Sequence, residues 1–284
     1  MAWSVSVIKN KDVLPNGEPS KRLQTWLAVE KDLGIKIPIF VLLPKDMGKC
    51  EKVIFSIHGT MRNAKSYRKI FVESLIHENI LLLAPLFDDL KFKSALALTL
   101  GNLSDGLIRN GVTPNVPEEI RTFTAIDKIF LSLREKYNGL KSYSIFGHSA
   151  GAQFAHRFAI FAKSSFLNTV VAANAGWYTL LDESIEYPYG VKDLFNKSDL
   201  KKILSRRVII IAGENDTMQD RHLRLTEKTL LQGKNRFERA QYAVKKTDCL
   251  AKDLGVTNNW RLVIVPELKH NANSAKAYAL EYLI

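Results

Sequence analysis

Six short apolar runs punctuate the chain: Val53–Ile57, Ile80–Ala84, Tyr143–Phe146, Thr169–Ala173, Val208–Ala212 and Leu262–Val265. Each is mostly Val, Ile, Leu, Phe or Ala, with no polar alternate face. Strands buried on both sides read this way, because a parallel sheet covered by helices has no wet face. Two earlier segments, Thr25–Glu30 and Ile35–Leu43, read as antiparallel strands at one edge. Together these predict a sheet of about eight strands. Between the runs lie helical segments. Pro117, Glu118 and Glu119 form a helix start, since proline suits the first turn and acids suit the positive end of the dipole. Ile126, Ile129, Phe130 and Leu133 then repeat as one apolar stripe, and Asn138-Gly139 ends it. Strands alternating with helices predict an α/β fold with a mostly parallel central sheet. No compositional break marks a second domain, so residues 1–284 read as one. Leu86–Asn115 and Tyr178–Ser205 are long for plain connections. They are expected to form pocket walls and, over 178–205, a small lid.

Composition adds bounds. The chain has 284 residues, 46% hydrophobic and 25% charged, which are ordinary globular values. No run approaches the ~20 apolar residues of a membrane span. The net charge is +12, but acids interrupt the basic runs, as Asp199 does in Lys197–Arg207. With no aromatic-interleaved basic stripe, no specific nucleic-acid partner is expected. Cys50 and Cys249 are too few for a disulfide scaffold and read as free thiols. Met1–Val13 lacks a basic stretch followed by an apolar one, so a cytoplasmic location is expected. No His/Cys cluster has metal spacing and no loop cradles phosphate, so neither metal nor cofactor is expected.

The candidate chemistry centres on Gly147-His148-Ser149-Ala150-Gly151. An apolar strand precedes this G-x-S-x-G pattern, and a helical stretch, Ala152–Lys163, follows. A serine on so sharp a turn adopts strained backbone angles, and residues two positions away must lack side chains. The hydroxyl then projects at the positive end of a helix. A neutral hydroxyl is a poor nucleophile and needs a base, which in turn needs an orienting acid. His270 is the histidine that follows a strand after Ser149. His156 lies within the helix, His222 at an expected helix start, and His148 inside the turn with its ring directed away from the reaction. Asp216 follows the strand Val208–Ala212; Glu214, Asp220 and Asp182 are its rivals. Two backbone N–H groups must also face the developing oxyanion. One comes from Ala150. The other comes from the His58-Gly59-Thr60-Met61 loop, where Thr60 is the first choice and Met61 the second.

The order His58-Gly59, Ser149, Asp216, His270 resembles the α/β-hydrolase superfamily over about residues 25–284. Within it, His58–Ala64 with Tyr67-Arg68, Leu100-Gly101-Asn102, Asn174–Tyr178 and Gly213–Thr217 resemble a bacterial esterase group related to polyhydroxybutyrate depolymerases and feruloyl esterases. The resemblance implies the α/β-hydrolase fold and ester hydrolysis. It does not imply polymer degradation, because extracellular polyester depolymerases of similar core carry signal sequences and often binding modules. Trp177, Tyr178 and Tyr187 are expected to line the substrate pocket, being aromatic residues with polar tips near the ligand-binding end of the sheet. The expected activity is therefore hydrolysis of a small-molecule ester by a serine carboxylesterase. Acyl transfer or peptide hydrolysis by the same residues is the alternative, and a non-catalytic ligand-binding role comes after it.

Overall fold

A computed structural model of the protein describes residues 3–88, 98–102, 118 and 121–284. One nine-stranded sheet runs through it. Its strands are β1 (Trp3–Lys9), β2 (Leu23–Glu30), β3 (Ile35–Leu42), β4 (Lys52–Ile57), β5 (Ile80–Pro85), β6 (Ser142–His148), β7 (Leu167–Ala173), β8 (Arg207–Gly213) and β9 (Trp260–Val265). The spatial order is β1-β2-β3-β5-β4-β6-β7-β8-β9. Strands β4 to β9 pair in parallel. The first three strands are antiparallel, and β3 joins β5 antiparallel.

The continuous apolar runs explain this sheet. Side chains alternate across a strand, so each run feeds two cores. Val53, Phe55 and Ile57, like Val208, Ile210 and Ala212, enter the larger one. There they meet α2 (Thr122–Lys136), α3 (Ala150–Phe161), α4 (Lys197–Ser205) and α5 (Arg236–Asp253). Ile54, Ile209 and Ile211 enter the smaller core on the opposite face. That core is closed by α1 (Ala64–Leu75) and α6 (Ala272–Leu283).

Four expectations need correction. The run Leu262–Val265 lies in β9, an edge strand that is not buried on both faces: Ile264 is 44% exposed. Strand β1 has no continuous apolar run. It is an edge strand whose Trp3 and Val5 pack on the core while Ser4 and Ser6 face solvent. Helix α2 begins at Thr122, not Pro117, and Arg121 takes the N-cap position. Pro117 and Glu119 lie outside the described residues, and Glu118 pairs with Lys163 at 2.9 Å. The helix also ends without Gly139: Tyr137 is the C-cap, and Gly139 keeps an ordinary φ. Finally, the segment 178–205 does not cover Ser149. Leu180, Leu181, Tyr187, Tyr189 and Val191 are buried in the larger core, and α4 follows. Most of Leu86–Asn115 lies outside the described residues.

The N-terminal region is tied to α1 by one buried acid. Asp12 receives Arg68 Nη2 and Lys65 Nζ, each at 2.9 Å. Burial alone would raise the Asp12 pKa, but hydrogen bonds from Lys65 and Arg68 outweigh it and hold the carboxyl well below its ordinary 3.8. A depressed carboxyl pKa stabilises the fold above its unfolded value. That contribution is lost as pH falls below about 4. Asp12→Asn should therefore melt at a lower temperature than wild type at pH 7, and the difference should shrink on acidification below about pH 4. Calorimetry across that range checks it.

Candidate active site

The turn from β6 into α3 shows why its glycines are needed. Ser149 has φ 57° and ψ −117°, a conformation that side chains other than glycine's rarely adopt. A Cβ on Gly147 would lie 2.0 Å from the Gly151 carbonyl oxygen, and one on Gly151 would lie 2.2 Å from the Ile57 carbonyl oxygen. Both contacts are to backbone, which cannot swing aside. Gly151→Ala must push α3 off β4, and the expected destabilisation is about 3 kcal/mol, at the high end for overpacking. Thermal melts would show the loss, and a Tm within a degree of wild type would contradict it.

Three residues far apart in the chain meet at this turn. His270 Nε2 lies 3.0 Å from Ser149 Oγ, and His270 Nδ1 lies 2.7 Å from Asp216 Oδ2. An ionised carboxylate only accepts, so Nδ1–H donates to Asp216 and Nε2 is left to accept from the serine hydroxyl. The Asp216 side chain is 2% exposed and that of His270 28%. The imidazole thus faces the pocket while the carboxylate is shut away from water. Asn174, at φ 52°, braces the arrangement: it donates through Nδ2 to the Lys269 carbonyl and accepts from Gly213 N–H at 2.8 Å. One amide therefore joins the loop of His270 to the strand that delivers Asp216.

The rival residues have other partners. Glu214 is exposed. Asp182 accepts from Lys246 at 2.8 Å. Asp220 is paired with Arg236 at 2.9 Å. Burial raises the Asp220 pKa, but the His222 backbone N–H and Arg236 together bring it below the ordinary value. His156 is fully buried, donates through Nδ1 to the Ala152 carbonyl and accepts from Thr179 N–H. Burial, with Arg157 next to it, drives its pKa well down, so it stays neutral. His222 is exposed on a turn, not at a helix start, and lines the pocket.

His148 departs from expectation. Its ring does not turn away from the site but packs on the His270 ring, with centroids 4.5 Å apart, and it lines the same pocket. Burial, then the proximity of His270 and Arg236, pushes its pKa well below the usual imidazole value. A neutral ring therefore backs the His270 imidazole.

The pocket around Ser149 encloses about 300 Å³. Thr60, Met61, Asn63, Tyr67, Asp220, His222, Arg236 and Ala272 line it. Burial pushes the Tyr67 phenol up to about 12, so it remains a neutral hydrogen-bonding group. Thr60 is exposed at the rim, and Ala150 opens α3, where the first N–H groups have no helical acceptor. The Ser149 N–H is already committed to the Ala173 carbonyl at 3.0 Å.

Trp177, Tyr178 and Tyr187 do not line this pocket. All three are buried in the larger core. Trp177 lies under the Arg157 guanidinium, 4.0 Å away, Tyr178 packs on His156, and Tyr187 donates to the Leu100 carbonyl. Their position after β7 was legible; the buried Arg157 that draws aromatic rings inward was not. A second hollow of about 330 Å³, lined by Leu180, Tyr189, Lys228 and Leu231 among others, shares no residue with the Ser149 pocket. Arg236 was also missed. The one sign in the sequence is its misfit, a cation in the first turn of a helix, where the dipole disfavours it.

No protein-family model and no curated protein sequence matches the chain. Solved structures do. A poly(aspartic acid) hydrolase from a Sphingomonas species superposes with a TM-score of 0.81 at 29% identity, over 88% of this chain and 94% of that one. A poly(3-hydroxybutyrate) depolymerase from Bordetella parapertussis also gives 0.81, at 22% identity, over 90% and 87% of the two chains. A siderophore hydrolase from Aspergillus nidulans gives 0.53 at 15% identity, over 92% and 94%.

Proposed function

We propose that this chain, which has the α/β-hydrolase fold, is a serine carboxylesterase acting on small or medium esters through Ser149, His270 and Asp216. The observation that carries the reading is the continuous hydrogen-bonded path from Ser149 Oγ through the imidazole to a buried carboxylate. Ser149 Oγ attacks the ester carbonyl carbon while His270 Nε2 takes the hydroxyl proton. The C=O π pair moves to oxygen, where N–H groups of Ala150 and Thr60 receive it. As the tetrahedral centre collapses, the bond to the alkoxy oxygen breaks, and the imidazolium returns its proton to the departing alcohol. Water then repeats the sequence on the acyl-enzyme, with His270 as base, and releases the acid. Asp216 keeps the imidazole in the required tautomer and stabilises its cation throughout. The pocket, at about 300 Å³ and lined largely by polar residues, is at the small end for a ligand site and suits a compact acyl group.

The test is hydrolysis of p-nitrophenyl acetate and butyrate with product analysis in the presence of added alcohols. The expected product is free acid. Transesterified product as the main species would move the reading to acyl transfer. A second reading has two observations in its favour: the neighbour at 29% identity is named for poly(aspartic acid), and a net charge of +12 suits an anionic chain. Incubation with poly(aspartic acid) decides between them. Shortened polymer with negligible turnover of the p-nitrophenyl esters would select the second.

A further inference from the structure

We infer that Arg236 is a positioning residue that holds the loop carrying Asp216, an inference that rests on the esterase reading above. The loop from Asp216 to Asp220 has no regular structure. Its backbone–backbone hydrogen bonds lie at its ends: Asp216 N–H donates to the Gly213 carbonyl, and Leu223 N–H donates to the Asp220 carbonyl; between them one exposed side chain, Gln219, donates through Nε2 to the Lys234 carbonyl at 3.0 Å. Between them the chain faces solvent, and Met218 is 74% exposed. An acid on so loosely tied a loop needs another anchor to keep a 2.7 Å bond to His270.

The Arg236 guanidinium supplies it from the first turn of α5. Nη2 reaches Asp220 Oδ2 at 2.9 Å and Oδ1 at 3.1 Å, at the far end of the loop. Nη1 donates to the Met218 carbonyl at 3.3 Å, in the middle. The same Nη1 faces Asp216 Oδ1 at 3.5 Å, the oxygen that His270 does not use. A single planar fork therefore touches the start, middle and end of the loop. Its side chain is 2% exposed, where charge contacts are little screened. Burial in a helix's first turn is unfavourable for a cation, and the two aspartates offset that cost. Asn235, the N-cap, fixes α5 by accepting from Glu238 N–H at 2.9 Å, so the fork starts from a rigid base. A lysine has one donor centre and cannot span all three points.

The test compares Arg236→Met, Arg236→Ala and Arg236→Lys on p-nitrophenyl butyrate, with circular dichroism to establish folding. The two truncations should lower kcat by about 100-fold, the scale of a displaced catalytic group, while KM stays nearly constant. Arg236→Lys should recover part of the loss. Millimolar guanidinium should restore Arg236→Ala, whereas urea, its neutral counterpart, should not. If the truncated chains do not fold, Asp220→Asn keeps the arginine and loosens only the far anchor. It should lower kcat, by less, again with KM held. Wild-type kcat in Arg236→Met or in Asp220→Asn would overturn the inference. So would a folded Arg236→Ala whose loss neither lysine nor guanidinium relieves, which would leave Arg236 a packing role only. A wild-type protein that turns over no ester would instead overturn the esterase reading beneath it.

Discussion

Ser149→Ala lowers kcat for p-nitrophenyl butyrate by about 10⁴-fold or more, because it removes the atom that forms the acyl bond. Residual turnover comes from oxyanion stabilisation and binding alone. The substitution takes one oxygen from a half-buried position and leaves the strained backbone untouched, so the Tm should hardly move. The Ser149 side chain makes no capping bond to α3, so no helix cap is lost. Unchanged activity would mean that hydrolysis occurs elsewhere, for instance through Cys249, which is exposed.

Asp216→Asn should lower kcat/KM by about 10³–10⁴-fold with the fold intact. Arg236 gives the direction of this effect. Its Nη1 faces Asp216 Oδ1 and is a donor, so the new amide turns its oxygen toward the guanidinium. The NH₂ group then faces His270 Nδ1, which must accept. That forces the imidazole proton onto Nε2, beside the serine oxygen, where it blocks proton transfer. The residue is nearly isosteric, and melting should show a much smaller change than the rate does. A loss below tenfold would shift the orienting role away from Asp216. Kinetics on the Asn variant, read with its Tm, separates a wrong tautomer from a damaged loop.

The parts of the molecule visible in the sequence share a physical trait: they are local or doubly buried. Runs such as Val208–Ala212 had to be interior strands because they offer no polar face. Gly147 and Gly151 had to be glycine because backbone passes within about 2 Å of where a Cβ would stand. Asp216 could be placed because it follows such a strand, whereas His270 follows an apolar run that forms the sheet edge, with Ile264 44% exposed. What stayed hidden depends on contacts between distant segments. Strand β1 gains its place by pairing with β2 and packing Trp3 and Val5 on the core, and its half-exposed pattern carries little signal of its own. Trp177 lies inward against the face of the buried Arg157 guanidinium, and Tyr187 lies inward where its hydroxyl donates to the Leu100 carbonyl. Nothing near them in the chain announces it. Arg236 reaches a loop sixteen to twenty residues earlier, and the contact of His148 with His270 crosses from one strand end to another. Spacing along a chain does not encode such meetings.

The broader claim is that a base and a buried acid make one hydroxyl nucleophilic. Intact-protein mass after exposure to a fluorophosphonate probe addresses it without reference to any substrate. The expected result is a single adduct, mapped by peptide analysis to Ser149, absent in Ser149→Ala and much slower to form in His270→Ala. An unmodified protein, or an adduct on any other residue, would contradict it.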